Sequence, residues 1–377
     1  MTSIPSQIYL DYNATTPLLP EAVHAMTHAL TEGFGNPSSG HWAGRAAKRL
    51  LQQARHDIGA LVGASARDVV LLSGATEALN QVLGQAVRQG GRIVIGAVEH
   101  AAVGAALKNA GCKTVEVVPV EASGRVDPDR FLAAVDAGPP PVLAVLMAAN
   151  NVTGIIQPVV ELTEALRDRG VPFLVDAVQF AGKLPVTFRP DYLVLAGHKF
   201  GGPKGVGALV LGQDATLTAM IAGGGQEGAR RGGTEAVPAV VGMGAAAAAI
   251  RDGRLTEAAR LSALRDALEM TLTEQLPGSY VLGANAERLP NTSSFMLPPG
   301  IEADAVVDYL DQAGIAVSAG SACHADSREP SAVLLAMGIT PDSCFRALRI
   351  SLGHATVEAD VLRLAEVLPG IVAAVRG

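Results

Sequence analysis

"DYLVLAGHKFGGPKG", Asp191 to Gly205, decides how the rest of the chain is read. Tyr192, Leu193, Val194 and Leu195 run apolar without a break, which reads as a strand buried on both faces. The run then dissolves into glycines and a proline, and at the break stand His198 and Lys199. A lysine placed there is either a solvated loop residue or a nucleophile held over a pocket. The neighbouring sequence has to choose between them.

From about Asp68 to Leu211 one plan repeats. "DVVLLSG", "RIVIGAVEH", "KTVEVVPV", "PPVLAVLMAANN", "VPFLVDAVQ", "DYLVLAG" and "GALVLG" are short β-rich runs, most of them separated by helical patterns such as "TEALNQVLGQAVRQG". Apolar strands alternating with helices predict an α/β fold with a mostly parallel sheet covered on both faces. In such sheets ligands sit beyond the carboxyl ends of the strands. After "RRGGTEAVP" the character changes. An Ala-rich helix from Val237 to about Arg251 leads into a polar, Leu-spaced helix. Shorter strands ("YVLG", "TSSFMLP", "ALRISLG") then mix with helices. We expect a large domain over 15–250 and a smaller α+β domain made of 1–14 and 251–377, with the long helices between them as the hinge.

The strand ends carry polar residues. Ser73-Gly74-Ala75-Thr76 follow "VVLL" and open a helix, whose free N–H groups suit a phosphate. An ordinary cap by Thr76 is the competing reading. Glu99 and His100 follow "RIVIGAV". Asn150 and Asn151 follow "LAVLMAA", either as turn formers or as amide donors. Asp176 follows "VPFLV", with Gln179 three residues on. It is a helix cap or a carboxylate awaiting a cation, because a lone buried charge is costly. Each signal is weak alone. Together they set an anion site, an aspartate, a histidine and a lysine at one sheet edge, which is what pyridoxal phosphate needs: a Schiff-base lysine, a carboxylate for the pyridinium nitrogen and a helix start for the phosphate.

Composition narrows the field. A chain of 377 residues holds two domains, or one large domain with a smaller one attached. A net charge of −7 with no basic stretch argues against nucleic-acid binding, DNA included. The longest apolar runs, around 139–149 and 243–250, are too short to span a bilayer. The opening "MTSIPSQIYLDYNATTP" has neither the basic nor the apolar region of a signal peptide. Three scattered cysteines build no disulfide framework, so a reducing cytoplasm is expected.

At this point the sequence resembles the cysteine desulfurases of the NifS/IscS type, class V, fold-type I pyridoxal-phosphate enzymes. The motifs run in order from Tyr9 to about Gly353: "YLDYNATTP", "GNPSSGHWAGR", "SGATEALN", "VEHAAV", "NNVTG", "VDAVQFAGKLP", "GHKFGGPKGVGAL", "GGGQEGARRGGTE", "SAGSAC", "EPSAVLLAMG" and "LRISLG". The resemblance implies a seven-stranded sheet, pyridoxal 5′-phosphate and a homodimer. It implies Lys199 as the Schiff-base lysine, Asp176 as partner of the pyridine nitrogen and Gln179 as partner of the ring hydroxyl. His100 is implied to stack on the ring as an acid/base. Ala75, Thr76 and His198 are implied phosphate contacts, and Thr234 one supplied by the other subunit. Asn151 and Arg349 would hold the substrate carboxylate, with Asn36 in a motif near the same pocket. Cys323 would be the nucleophile, on a loop of about 318–332 rich in small residues.

The implied reaction converts L-cysteine to L-alanine, leaves a persulfide on Cys323 and passes its sulfur to an acceptor protein, for Fe–S clusters or for another sulfur-containing cofactor or tRNA. Three residues depart from the family pattern. Ala196 replaces a phosphate-binding serine, Gly228 replaces an arginine, and His324 follows the cysteine in place of a small polar residue. His324 and Asp326 beside a thiolate do not amount to a metal site, and no metal is expected. Cys112, in a strand-like run, and Cys344 read as core cysteines. The rival activities are a selenocysteine lyase or a cysteine/cystine C–S lyase, which would not depend on Cys323 in the same way. A non-catalytic scaffold is the rival of another class. It is disfavoured because Lys199, Asp176, His100, Arg349 and Cys323 are all present.

Overall fold

The apolar runs between Val69 and Leu211 become strands because both of their faces find cover. In a computed structural model, which describes residues 7–320 and 329–376, nearly every residue of these runs is buried. Strands are numbered along the chain. After β1 (Ile8–Tyr9) come β2 (Val69–Leu72), β3 (Ile93–Gly96), β4 (Val115–Val118), β5 (Leu143–Met147), β6 (Phe173–Asp176), β7 (Tyr192–Ala196) and β8 (Gly207–Leu211). β2 to β8 form one seven-stranded sheet in the order β2-β8-β7-β6-β5-β3-β4. Only β8 runs against the others, pairing antiparallel with both β2 and β7. β4 closes one edge. Its Val115 and Val117 face solvent, so the continuous burial predicted for this run does not hold there.

Two apolar layers sandwich the sheet. On one face, Leu51, Ile58, Val240 and Met243 of helices Trp42–Leu61 and Val237–Arg251 pack on Leu71, Leu193 and Val210. On the other, Leu79, Leu83, Val103 and Leu107 of helices Ala75–Gln89 and Ala101–Asn109 pack on Val70, Val145 and Leu209. Burial of this kind stabilises by roughly 25 cal/mol per Å² of apolar surface.

A third cluster joins Leu10 to Leu268, Phe295, Val306, Leu348 and Leu364. Its strands are β9 (Tyr280–Val281), β10 (Thr292–Met296), β11 (Ile315–Ala316), β12 (Ser318–Ala319) and β13 (Ala347–Ser351). β12, β13, β10 and β9 form an antiparallel sheet in that order, and β1 pairs parallel with β11. The first described strand is thus built into the part of the molecule formed by the last third of the chain.

Among the cysteines, Cys344 is fully buried, as expected. Cys112 is not a core residue. It is half-buried in the turn that ends helix Ala101–Asn109, where its N–H donates to Leu107 O at 3.0 Å. The strand foreseen around it starts later, at Val115. Cys323 lies outside the described residues, as do His324 and Asp326.

Candidate active site

Because β2, β3, β5, β6 and β7 are mutually parallel, their carboxyl ends meet at one edge. A cleft of about 570 Å³ opens there. One end is lined by Ser73, Gly74, Ala75 and Thr76, and the middle by His100, Asn151, Asp176 and Gln179. Ala196, His198 and Lys199 complete the lining, and Ala196 lies beside the helix start, since it pairs with Gly207, which packs against Gly74.

The competing local readings are resolved by hydrogen bonding. The cap of helix Ala75–Gln89 is Gly74, which has no side chain to cap with, so Thr76 is not the cap. The first-turn N–H groups therefore face the cleft end as an anion cradle. Gly207 at the start of β8 keeps this cradle tight, since a Cβ there would sit 2.7 Å from Gly74 Cα. Asn150 is the turn former: its Oδ1 accepts from Val152 N at 2.8 Å and Thr153 N at 3.0 Å. That leaves Asn151 for the cleft. His100 caps helix Ala101–Asn109 through Nδ1, which accepts from Ala102 N at 3.1 Å. In the neutral ring the proton then sits on Nε2.

Asp176 ends β6, and its Oδ1 accepts from Val178 N at 2.9 Å. Burial pushes its carboxyl up, while the Val178 N–H, His100 and Lys199 pull it down. The His198 ring sits 3.2 Å from Thr15 Oγ1 through Nδ1. Burial first, then Lys199 and Lys204, lowers it to about 4, so it is neutral at pH 7. The Lys199 amine donates to Asn13 O at 2.7 Å and Ala14 O at 2.8 Å. Gln179 Nε2 donates to Asn13 O at 2.9 Å.

Arg349 is in the middle of β13 and does not line the cleft itself. It reaches the cleft wall through Asn151, donating from Nη1 to Asn151 O at 3.2 Å. Its Nη2 donates to Asp11 Oδ1 at 2.8 Å, and its Nε is buried without a partner among the described residues. Ser318 Oγ donates to the other Asp11 oxygen at 3.0 Å. Thr234 lines an adjoining cavity that shares Ser73, Gly205 and Val206 with the cleft. Asn36 is not brought to the cleft within this chain. It is exposed, and its Oδ1 accepts from Ser38 N at 2.9 Å to close a turn. Gly228 stands at φ 65, between Glu227 at 52 and Ala229 at 61. Non-glycine residues at such angles store roughly 1–3 kcal/mol each. Glu227 is held there by Arg55, at 2.5 and 2.6 Å, and by Leu71 N at 2.8 Å.

Three residues of the site, Asp11, Asn13 and Lys183, escape a reading by strand ends, and Glu99, which does follow a strand, shows its partners only in the structure. Asn13, 1% exposed, is the hub. Its Nδ2 donates to Thr292 Oγ1 at 2.9 Å and Asn151 O at 3.2 Å, and its N–H donates to Ser351 Oγ at 3.0 Å. Asp11 holds Arg349, and Lys183 contacts Gln179. Glu99 has an enclosed carboxyl whose Oε1 accepts from Met147 N at 2.8 Å, while Oε2 has no partner among the described residues. Burial first, with Asp176 adding, pushes it up to about 8 against the pull of the Met147 N–H. The signal for Asp11 and Asn13 was present: two polar residues following an apolar strand with no helix to cap.

The model for the class V aminotransferases matches residues 8–364, and the chain belongs to that family. Within it, the chain falls among the cysteine desulfurases. It is 43% identical over 376 residues to the cysteine desulfurase of Cereibacter sphaeroides, covering 97% of this chain and 96% of that one. A solved NifS-like protein superposes with a TM-score of 0.88 at 30% identity, covering 98% of this chain and all of that one. A structure described as SspA in complex with cysteine gives 0.79 at 28% identity, over 93% of this chain and 100% of that chain.

These enzymes depend on pyridoxal 5′-phosphate. The cleft fits it: an uncapped helix start for the phosphate, a buried carboxylate for the ring nitrogen and a lysine in the same lining. Among the described residues no helix is long and apolar enough to cross a membrane, and no group of three metal-ligating side chains forms.

Proposed function

We propose that this chain converts L-cysteine to L-alanine, with Cys323 taking the sulfur as a persulfide and handing it to an acceptor protein. The observation that carries the reading is the meeting of Lys199, Asp176, His100 and the uncapped helix start around one cleft. The solved relative described in complex with cysteine supports the substrate. Bound pyridoxal phosphate supplies an electron sink that makes the α proton of an amino acid removable. Ala75, Thr76 and His198 hold the phosphate, with Thr234 of a second copy completing that contact in a homodimer. Gln179 serves the ring hydroxyl and Asp176 the ring nitrogen. Arg349 and Asn151 orient the substrate carboxylate. Lys199 or His100 takes the α proton. The Cys323 thiolate attacks the substrate sulfur, so an S–S bond forms as the C–S bond breaks and the released carbon is protonated to alanine.

We assign 15–250 to cofactor binding, 1–14 with 251–377 to the domain that carries Cys323, and the whole to the cytoplasm. The test is the absorption spectrum of the purified protein, then alanine formation from L-cysteine, with Cys323→Ala alongside. A cofactor band, alanine from the parent and none from the variant support the reading. A variant that still forms product transfers the assignment to a C–S or selenocysteine lyase.

A further inference from the structure

Behind Gln179 stands a lysine that the reaction does not call for. Lys183 lies four residues after Gln179, at the wall between the cofactor cleft and a second cavity of about 550 Å³ on the other side of Lys199. The residue is half-buried. It donates to Gln179 Oε1 at 2.7 Å and to Asn13 Oδ1 at 3.2 Å. Burial, and then Lys199 and Arg349, hold it well below the ordinary lysine range.

A half-buried lysine bonded to two amide oxygens is a costly arrangement unless its donors are needed. Here they decide an orientation. A side-chain amide has an accepting end and a donating end of nearly identical shape, and only its partners fix which way it points. Lys183 donates to Gln179 at 2.7 Å, and the amide turns Oε1 toward it. Nε2 then faces the other way, with one hydrogen on Asn13 O at 2.9 Å and one left for the cleft. Asn13 is set by the same amine, because its Oδ1 also accepts from Asn291 Nδ2 at 3.2 Å and its Nδ2 is thereby turned to Thr292 and Asn151.

We propose that Lys183 is a positioning residue that locks the Gln179 amide with its donor toward the ring oxygen of the cofactor. The proposal rests on the cofactor reading given above. Without the lock, only the bond to Asn13 O still orients the Gln179 amide, and an oxygen is presented to the ring oxygen part of the time. The ring oxygen then loses a donor that favours its anionic form, and the absorption of the bound cofactor moves toward the short-wavelength band.

The experiment compares the holoprotein with Lys183→Met, Gln179→Leu and the double variant. Lys183→Met is expected to weaken the long-wavelength band relative to the short one and to release cofactor about tenfold faster, as for one lost hydrogen bond to a charged acceptor. In the Gln179→Leu background the Lys183 change is expected to do neither, because the two act as one unit. Gln179→Glu, which accepts from Lys183 but cannot donate from its ionised side chain, is expected to reproduce the Lys183→Met spectrum and stands in should that variant not fold. Lys183→Arg, which keeps a donor, should restore the long-wavelength band at least in part. A parental spectrum in Lys183→Met and Gln179→Glu would overturn the proposal while leaving alanine formation by the parent intact. So would an equal spectral change with and without Gln179. A parent that binds no cofactor would overturn the reading underneath it instead.

Discussion

The seven-stranded and four-stranded sheets solve the burial of polar chemistry in opposite ways. In the large sheet the strands are apolar along their length, and the working groups stand just past their ends: Ser73, His100, Asn151, Lys199, with Asp176 as the last residue of β6. In the small sheet the polar groups sit inside the strands. Arg349 is in the middle of β13, between Ser318 on β12 and Ser294 on β10, and all three are held in a sheet packed on an apolar layer. The first arrangement needs little compensation. The second needs a dedicated counter-ion, and it comes from the N-terminal segment as Asp11. A site at strand ends tolerates change. A site in mid-strand ties function to stability.

The comparison can be broken at several points. The largest effect belongs to the strand-end set: Lys199→Ala is expected to abolish alanine formation with little change in melting temperature, as checked by turnover and thermal melts side by side. A variant that unfolds would show that strand-end residues are structural after all. Asp11→Ala should do the reverse. It leaves Arg349 buried and uncompensated, which costs on the order of 3 kcal/mol in a denaturant titration, and it should raise KM for cysteine. If stability is unmoved, mid-strand charge here needs no counter-ion.

Glu99 provides a pH test. Its folded-state value is raised from 4.5 to about 8, so the folded protein holds a proton that the unfolded chain releases. Stability from this source is full below about pH 4.5 and falls as pH rises to about 8. Glu99→Gln should match the parent near pH 5 and exceed it at pH 8 by a few kcal/mol on the order-of-magnitude scale of such shifts. Parallel pH curves for the two proteins would count against an enclosed, protonated carboxyl. The smallest effect is a gain. Ala196→Ser places a hydroxyl on the cleft wall, and cofactor loss should slow by about tenfold. Unchanged loss would mean that the side chain does not reach the phosphate.

This contrast also explains what could be read in advance. The large sheet was legible because β7 and its neighbours are continuous apolar runs with polar residues at the breaks, so both the strands and the edge of the site follow from pattern. Arg349 had no such signature. "ALRISLG" reads as a half-buried strand with one charge, and only the family motif singled it out. Asp11 and Asn13 went unread because their partners lie far along the chain, and Lys183 because its amine joins the nearby Gln179 to the distant Asn13, which local pattern does not encode. Glu99 was seen beside His100, but nothing in the sequence tells which way its carboxyl turns. Asn36 drew attention through its motif, yet within one chain it serves a turn.

The hub at Asn13 bears on how the protein is made. Chains fold as they are synthesised, from the amino end. The segment with β2 to β8 is complete once residue 211 has emerged, so the large sheet can close with Lys199 already at its edge. Asn13 must wait. Its contacts with Thr292, Asn291 and Ser351 span up to 338 positions, and Asp11 waits as long for Arg349. On a ribosome, the floor of the cleft is therefore laid last, and a nascent chain halted before β13 carries the cofactor lysine over an unfinished site.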